Sequence, residues 1–356
     1  MYIWHNKDLP PDPYFPADLE KLGYFINDKD QIRQIANPEE GFKFKINRND
    51  RYNVKQREAM NDCIRQILSE RFTDAGLEIL RLPLDTEATE AHVPILVSKD
   101  FHTKPRIIVF LGEPIQDLGV WAYRSIHEGL NFGSVVNFVK TVLTNENVGL
   151  LIANTGQLIW HNESGRAVTQ QTWQAIPRPY AVWGQATMSW RNKIPANGDW
   201  NQHVQYIFEK VLWPKLGQDT RIDILGMSEG GLAALRYLQR DWHVWQPYIS
   251  GICLGDPQQT TFSDLDMGTL TDPQSFTSFV ASRCRAYIVS KEPVGTKEVG
   301  YRTYGCNCYS SGEALNTECI MPAAWKDMLA WLDMVYLDRE YSEHEVIEVV
   351  GTGDAA

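Results

Sequence analysis

The sequence predicts an α/β fold built on a mostly parallel, doubly wound sheet. Three observations carry that expectation. Arg106–Leu111 runs as a continuous apolar stretch closed by Gly112, the pattern of a strand buried on both faces. Val148–Ala153 repeats that pattern after a stretch of helical periodicity. Ile222–Leu225 is a third short β-branched run, and it turns at Gly226 into the small-residue segment Ser228–Leu235. Strands alternating with helices imply parallel strands with helices on both faces.

In chain order, residues 1–16 carry Pro10, Pro11, Pro13 and Pro16 and read as an extended arm. Tyr24–Asn27 and Gln31–Ile35, joined by Asp28-Lys29-Asp30, read as a small hairpin. Phe42–Ile46 alternates apolar and basic residues and is predicted as a half-exposed strand. Asn53 with Gln56 marks a helix start, and Met60, Ile64, Ile67 and Leu68 give that helix one apolar face. Leu77–Leu84 and Val93–Val97 read as strands ahead of Arg106–Leu111.

Residues 155–200 break the rhythm, holding five of the twelve tryptophans. This insertion reads either as a lid or partner surface anchored by Trp160, Trp173, Trp183 and Trp190, or as a segment packed by its own tryptophans. A helix with Val204, Ile207, Phe208, Val211 and Leu212 on one face follows and stops at Pro214. Ser250–Asp256 and Ala286–Ser290 are further strands, and Cys308–Ser310 is the expected sheet edge. Trp325, Met328, Leu329 and Leu332 mark the last helix, with Pro322 in its first turn. Residues 338–356 turn acidic and read as a solvated tail. With no internal repeat and no Gly/Ser linker, residues 17–337 are expected to form one domain.

Composition narrows the function classes. The 356 residues carry a formal net charge of -11 with no evident Lys/Arg cluster, so no direct nucleic-acid contact is expected. No apolar run is long enough to span a membrane. Met1–Pro13 has no secretory pattern, so a reduced compartment, nucleus or cytoplasm, is expected. Cys306, Cys308 and Cys319 lack the fourth ligand and spacing of a zinc site, so neither metal nor cofactor is expected.

The chemistry-bearing motif is Gly226-Met227-Ser228-Glu229-Gly230. Placed between a strand and a helix, it matches a nucleophile elbow, which makes the predicted fold α/β-hydrolase-like. In that arrangement an acid follows the next strand, where Asp256 stands; the alternative is a capping aspartate. The base should lie before the last helix, but residues 310–324 contain no histidine. His161 and His344 are the candidates from outside the usual order. Candidate oxyanion donors are the backbone N–H groups of Glu229 and Gly112, but a carboxylate at Glu113 or Glu229 would repel a developing oxyanion.

Several stretches together resemble the argonaute-binding protein two (Arb-two) domain family. They are Leu22–Phe25, Phe42–Asp50, Gly119–Ala122, Gly133-Ser134, Gly149–Asn154, the elbow, Leu254–Asp256, Ser290–Pro293 and the tryptophan-led last helix. The resemblance runs over about residues 17–337. It implies an α/β-hydrolase-like fold. Members include a fungal partner of argonaute in small-RNA-directed heterochromatin formation and animal nuclear cotranscriptional regulators. A related domain ends fungal class II histone deacetylases and mediates association. Animal members resemble a full triad; this sequence matches at Ser228 and Asp256 and departs near Cys319 and Ile320. The reading is therefore a non-catalytic scaffold whose implied partner is argonaute or another silencing-complex subunit. The alternative is a serine hydrolase using Ser228, Asp256 and an unidentified base.

Overall fold

The computed structural model describes residues 9–182, 184 and 186–343. The chain begins with a one-turn helix α1 (Leu19–Leu22), the hairpin β1 (Tyr24–Ile26) and β2 (Ile32–Gln34), and the long helix α2 (Asp50–Asp74). Strands β3 (Leu77–Leu82), β4 (Val93–Ser98) and β5 (Arg106–Leu111) follow. Helices α3 (Tyr123–Ile126) and α4 (Val136–Val142) lead to β6 (Val148–Ile152). The insertion folds as a hairpin of β7 (Ile159–His161) and β8 (Arg166–Val168) with helix α5 (Gln170–Ala175). Then come α6 (Trp200–Tyr206), β9 (Arg221–Met227), α7 (Ser228–Arg240), α8 (Trp242–Trp245) and β10 (Ile249–Gly255). The chain closes with α9 (Phe276–Arg283), β11 (Cys284–Ile288), β12 (Lys297–Glu298), α10 (Tyr301–Tyr304), β13 (Asn307–Ser310) and α11 (Ile320–Leu337).

The central sheet runs in the order β12-β13-β11-β10-β9-β5-β6-β4-β3. Pairings from β13 across to β6 are parallel, and β12, β4 and β3 join antiparallel. The mostly parallel, doubly wound α/β-hydrolase-like sheet expected from the sequence is therefore present. Each central strand feeds two cores because its side chains alternate. Ile107, Val109 and Leu111 join Leu235 and Trp245 on one face, whereas Ile108 and Phe110 join Ile64, Phe138 and Met328 on the other. That two-sided burial is why these strands read as continuous apolar runs. Among the described residues no helix is long and apolar enough to cross a membrane.

Four local expectations fail. Phe42–Ile46 is not a strand: no neighbour pairs with it. Side chains satisfy its backbone instead, with Lys43 N–H donating to Tyr24 Oη at 3.2 Å and Ile46 N–H to Asn53 Oδ1 at 2.8 Å. Asn53 is thus occupied holding this loop, and the helix starts earlier at Asn49, whose side chain caps Arg51 N–H. Cys308–Ser310 is not the sheet edge, because the two-residue β12 pairs outside it. Finally, the start of the acidic tail is docked rather than solvated. The Glu343 carboxylate pairs with Arg285 at 2.7 Å, and Tyr341 Oη accepts from Trp331 Nε1 at 3.1 Å. The rest of the tail, from His344, lies outside the described residues.

The described part of the N-terminal arm, from Leu9 on, is also tied down. Asp12 takes two bonds from the buried Arg51 guanidinium and one from Arg178 N–H, while Pro11 bridges to Tyr180. Arg51 donates onward to the carbonyls of Gln174 and Ile176, so arm, α2 and insertion share one ion pair.

Candidate functional site

In a parallel sheet, residues that follow strand C-termini gather along one edge. Here Gly112 follows β5, the insertion follows β6, Ser228 follows β9, Asp256 follows β10, and residues 311–319 follow β13. Topology alone brings the sequence-predicted serine, acid and oxyanion loop together.

The elbow is built by close backbone contact. A Cβ at Gly230 would lie 2.2 Å from the Gly112 carbonyl oxygen, and one at Gly226 would lie 2.5 Å from Gly231 Cα. Neither position tolerates a side chain. The turn throws Ser228 into the left-handed region at φ 49°, a strained place for a residue with a Cβ. Asp256 sits at φ 48°, also left-handed.

The hydroxyl at the tip is not poised for attack. Ser228 is 5% exposed, and its Oγ donates to Glu229 Oε2 at 2.7 Å. The same hydroxyl faces the Asp256 carboxyl and pulls its pKa down, so two carboxylates compete for its one proton. Burial nevertheless pushes Asp256 up overall, helped by Glu229 and Glu318, while Gln258 Nε2 donates to its Oδ2 at 3.0 Å. Burial, with Glu229, Asp256 and Glu318 behind it, likewise raises the Glu113 carboxyl. Glu229 and Asp256 thus flank the serine, with Glu113 and Glu318 close enough to feel their charge, and a developing oxyanion would meet repulsion where a hydrolase supplies donors. What Gly112 turns toward α7 is its carbonyl, which accepts from Thr155 Oγ1 at 2.7 Å.

No imidazole among the described residues hydrogen-bonds to Ser228 or Asp256. His161 stays in the insertion hairpin with Ser164 Oγ at 2.7 Å, edge-on to Trp173. His203 is a buried strut between Asn197 Oδ1 and Asn154 N–H, and burial lowers its pKa to about 3. His127 is stacked against Phe42, with burial lowering it to about 4. The loop expected to carry a base offers Cys319 instead, whose thiol lies 3.3 Å from Ser125 Oγ. Glu318 beside it pairs with Arg124 at 3.1 Å. The thiol of Cys319 is thus occupied at Ser125, whereas Cys306 and Cys308 are buried in and beside β13.

The insertion divides its tryptophans. Trp160 and Trp173 are buried, and Trp173 Nε1 donates to the Ala186 carbonyl at 3.0 Å, so both pack inward instead of anchoring anything outside. Trp190 is 77% exposed. Trp183 lies outside the described residues. Sequence reasoning also missed the role of Glu318, whose pairing with Arg124 has no local signature.

The family model described as Arb2 domain matches residues 15–294. Cotranscriptional regulator ARB2A of Mus musculus is 31% identical over 157 residues, 43% of this chain and 37% of that protein, so the match spans well under two thirds of its length. A cotranscriptional regulator ARB2A homolog of Gallus gallus is 29% identical over 320 residues, 82% of this chain and 74% of that one. Among solved structures, a histone deacetylase from Saccharomyces cerevisiae aligns with TM-score 0.44 at 12% identity, covering 78% of this chain and 98% of that one. Esterase Est22 aligns with TM-score 0.33 at 16% identity, covering 79% of this chain and 86% of that one. With the family model matching most of its length, this chain belongs to the Arb2 domain family.

Proposed function

We propose that this chain is a non-catalytic, nuclear regulator that uses an α/β-hydrolase-like body to hold a partner. That partner is argonaute or another subunit of a small-RNA silencing complex. One observation carries the non-catalytic part: the Ser228 hydroxyl donates to a carboxylate, Glu229, and no imidazole among the described residues hydrogen-bonds to it. A serine without its base loses orders of magnitude in rate. The cotranscriptional regulators among its relatives support a nuclear, regulatory role. Retention of the elbow supports the second reading, a serine hydrolase, but the glycine contacts with the Gly112 strand give the turn a packing reason to persist.

The test is labelling of the purified protein by a fluorophosphonate probe. Wild type is expected to label no faster than Ser228→Ala. Clear Ser228-dependent labelling would transfer the chain to the hydrolase reading. The partner half is read by affinity capture from the native host with Trp190→Ala, the exposed insertion tryptophan. A true anchor loses about 2 kcal/mol, roughly thirtyfold in affinity.

A further inference from the structure

The chain is acidic overall, with 34 Lys and Arg against 45 Asp and Glu. Phe42–Arg57 reverses that balance: Lys43, Lys45, Arg48, Arg51, Lys55 and Arg57 stand against the single acid Asp50. Arg51 and Lys55 are consumed by Asp12 and the insertion carbonyls. Lys43, Lys45, Arg48 and Arg57 are exposed and, among the described residues, no carboxylate pairs with them. Four free cations on one segment of an acidic protein form a local positive field.

The same segment carries unburied apolar surface. Phe44 is 47% exposed and lines a cleft of about 440 Å³ together with Ile115, 51% exposed, Tyr123, His127 and Arg57. The ring is held in place, not waving in solvent, since it meets both His127 and Phe42 edge-on at 5.0 Å while those two rings stack on each other. Burial keeps His127 uncharged at neutral pH, so it behaves as an aromatic wall. The two acids at the cleft are largely spoken for. Glu318 pairs with Arg124, and Glu113 accepts from Gln116 Nε2 at 3.0 Å with its carboxyl pushed up by burial.

We propose that this cleft and the basic segment bordering it are a docking surface for an acidic peptide segment of a partner protein, one with a bulky apolar side chain flanked by Asp and Glu. The cations would steer and orient the acidic flanks, and the apolar residue would enter against Phe44 and Ile115. A nucleic acid fits less well, because a phosphate backbone would engage the cations but leave the apolar wall of Phe44 and Ile115 uncovered. The proposal rests on the partner-holding reading above, and it adds a contact surface apart from Trp190 and the chemistry that surface selects.

The experiment uses the full chain and a fluorescently labelled synthetic peptide rich in Asp and Glu around a central Trp-Leu pair. Anisotropy should report saturable binding that weakens with salt. Lys43→Glu combined with Arg57→Glu should weaken it at least about tenfold, or ~1.4 kcal/mol, and Phe44→Ala should also weaken it. Lys43→Gln with Arg57→Gln, a milder pair at the same exposed positions, should lie between. The idea is overturned by absence of binding to wild type, by unchanged affinity in the folded charge-reversed variant, or by equal affinity for a peptide with Gly-Gly at its centre. Tighter binding of a single-stranded RNA of matched charge would overturn it in favour of the other occupant. The readout separates from that of Ser228: probe labelling would sink the non-catalytic reading and leave the surface standing, whereas lost peptide binding with an unlabelled Ser228 sinks the surface alone.

Discussion

At Ser228 and at residues 311–319, two segments approach the same sheet edge under different constraints. The elbow is dictated by backbone: Gly230 lies against the Gly112 carbonyl, and Gly226 against Gly231, so the turn has one way to close. The facing loop is held by side chains that others could replace. Ser311 Oγ donates to the Ile288 carbonyl at 2.8 Å, Glu313 accepts from the N–H groups of Leu315 and Asn316, and Leu315 is exposed. Such a loop tolerates Cys319 in place of an imidazole without disturbing the sheet. The difference teaches that backbone packing alone gives a fold reason to keep the geometry of a nucleophile elbow, whatever side chains stand around it.

The strongest way to break that comparison is to add bulk on the elbow side. Gly230→Val places a branched side chain where even a Cβ meets the Gly112 oxygen at 2.2 Å. The expected loss is at least the upper end of the overpacking range, about 3 kcal/mol, read from denaturant midpoints. An unchanged midpoint would mean that the elbow helix can slide off the Gly112 strand, and the packing explanation for its retention would fail.

The matching change on the loop side is Cys319→His. Cys319 is buried beside Ser125, so a larger polar ring costs about 1–3 kcal/mol. The chemical expectation is sharper: no Ser228-dependent probe labelling should appear, because Glu229 still holds the hydroxyl. Labelling by this single variant would show that an imidazole was the one missing part. A third comparison stays on the turn itself. Ser228→Gly should be more stable than Ser228→Ala by about 1–2 kcal/mol, since glycine alone occupies φ 49° without strain. Equal stabilities of those two variants would remove the strain from Ser228.

These contrasts mark what a sequence can reveal. The central strands were legible because burial on both faces writes itself as uninterrupted apolar residues, as in Ile107–Leu111. The elbow was legible because its glycines are local requirements. The departure of the loop before the last helix from the usual pattern was legible too, since residues 310–324 contain no histidine. Long-range polar partners leave no such trace. Arg106 and Asp223 form a buried pair across 117 positions, and Asp12 binds Arg51 across 39. Phe42–Ile46 misled for the same reason: alternation looks like a strand, but whether a neighbour exists to pair with it is a tertiary fact. The inward turn of Trp160 and Trp173 was equally open, because tryptophan serves both as core and as anchor.

The smallest expected effect tests whether the carboxyl cluster is one electrostatic unit. Burial, then the charges of Glu229, Asp256 and Glu318, raise the Glu113 carboxyl above its ordinary value. The folded state therefore binds that proton at higher pH than the unfolded chain does. Over that window the folded state holds more protons, so stability falls as pH rises. The cost is fully developed above the raised pKa and is absent below the unfolded value of about 4.3. Glu113→Gln removes the charge while its amide oxygen can still accept from Gln116. The variant should be more stable than the parent at neutral pH by roughly 0.5 kcal/mol, the scale of a modest substitution. The gap should close as the pH is lowered toward about 4. His203 and His127 act in the opposite sense. Their depressed pKa values, about 3 and about 4, make the fold lose stability as pH falls below about 6.5, but they do so equally in parent and variant. The difference between the two curves therefore isolates Glu113. A gap that stays constant across the range would mean that Glu113 does not feel its neighbours, and the case for repulsion at the serine would rest on Glu229 and Asp256.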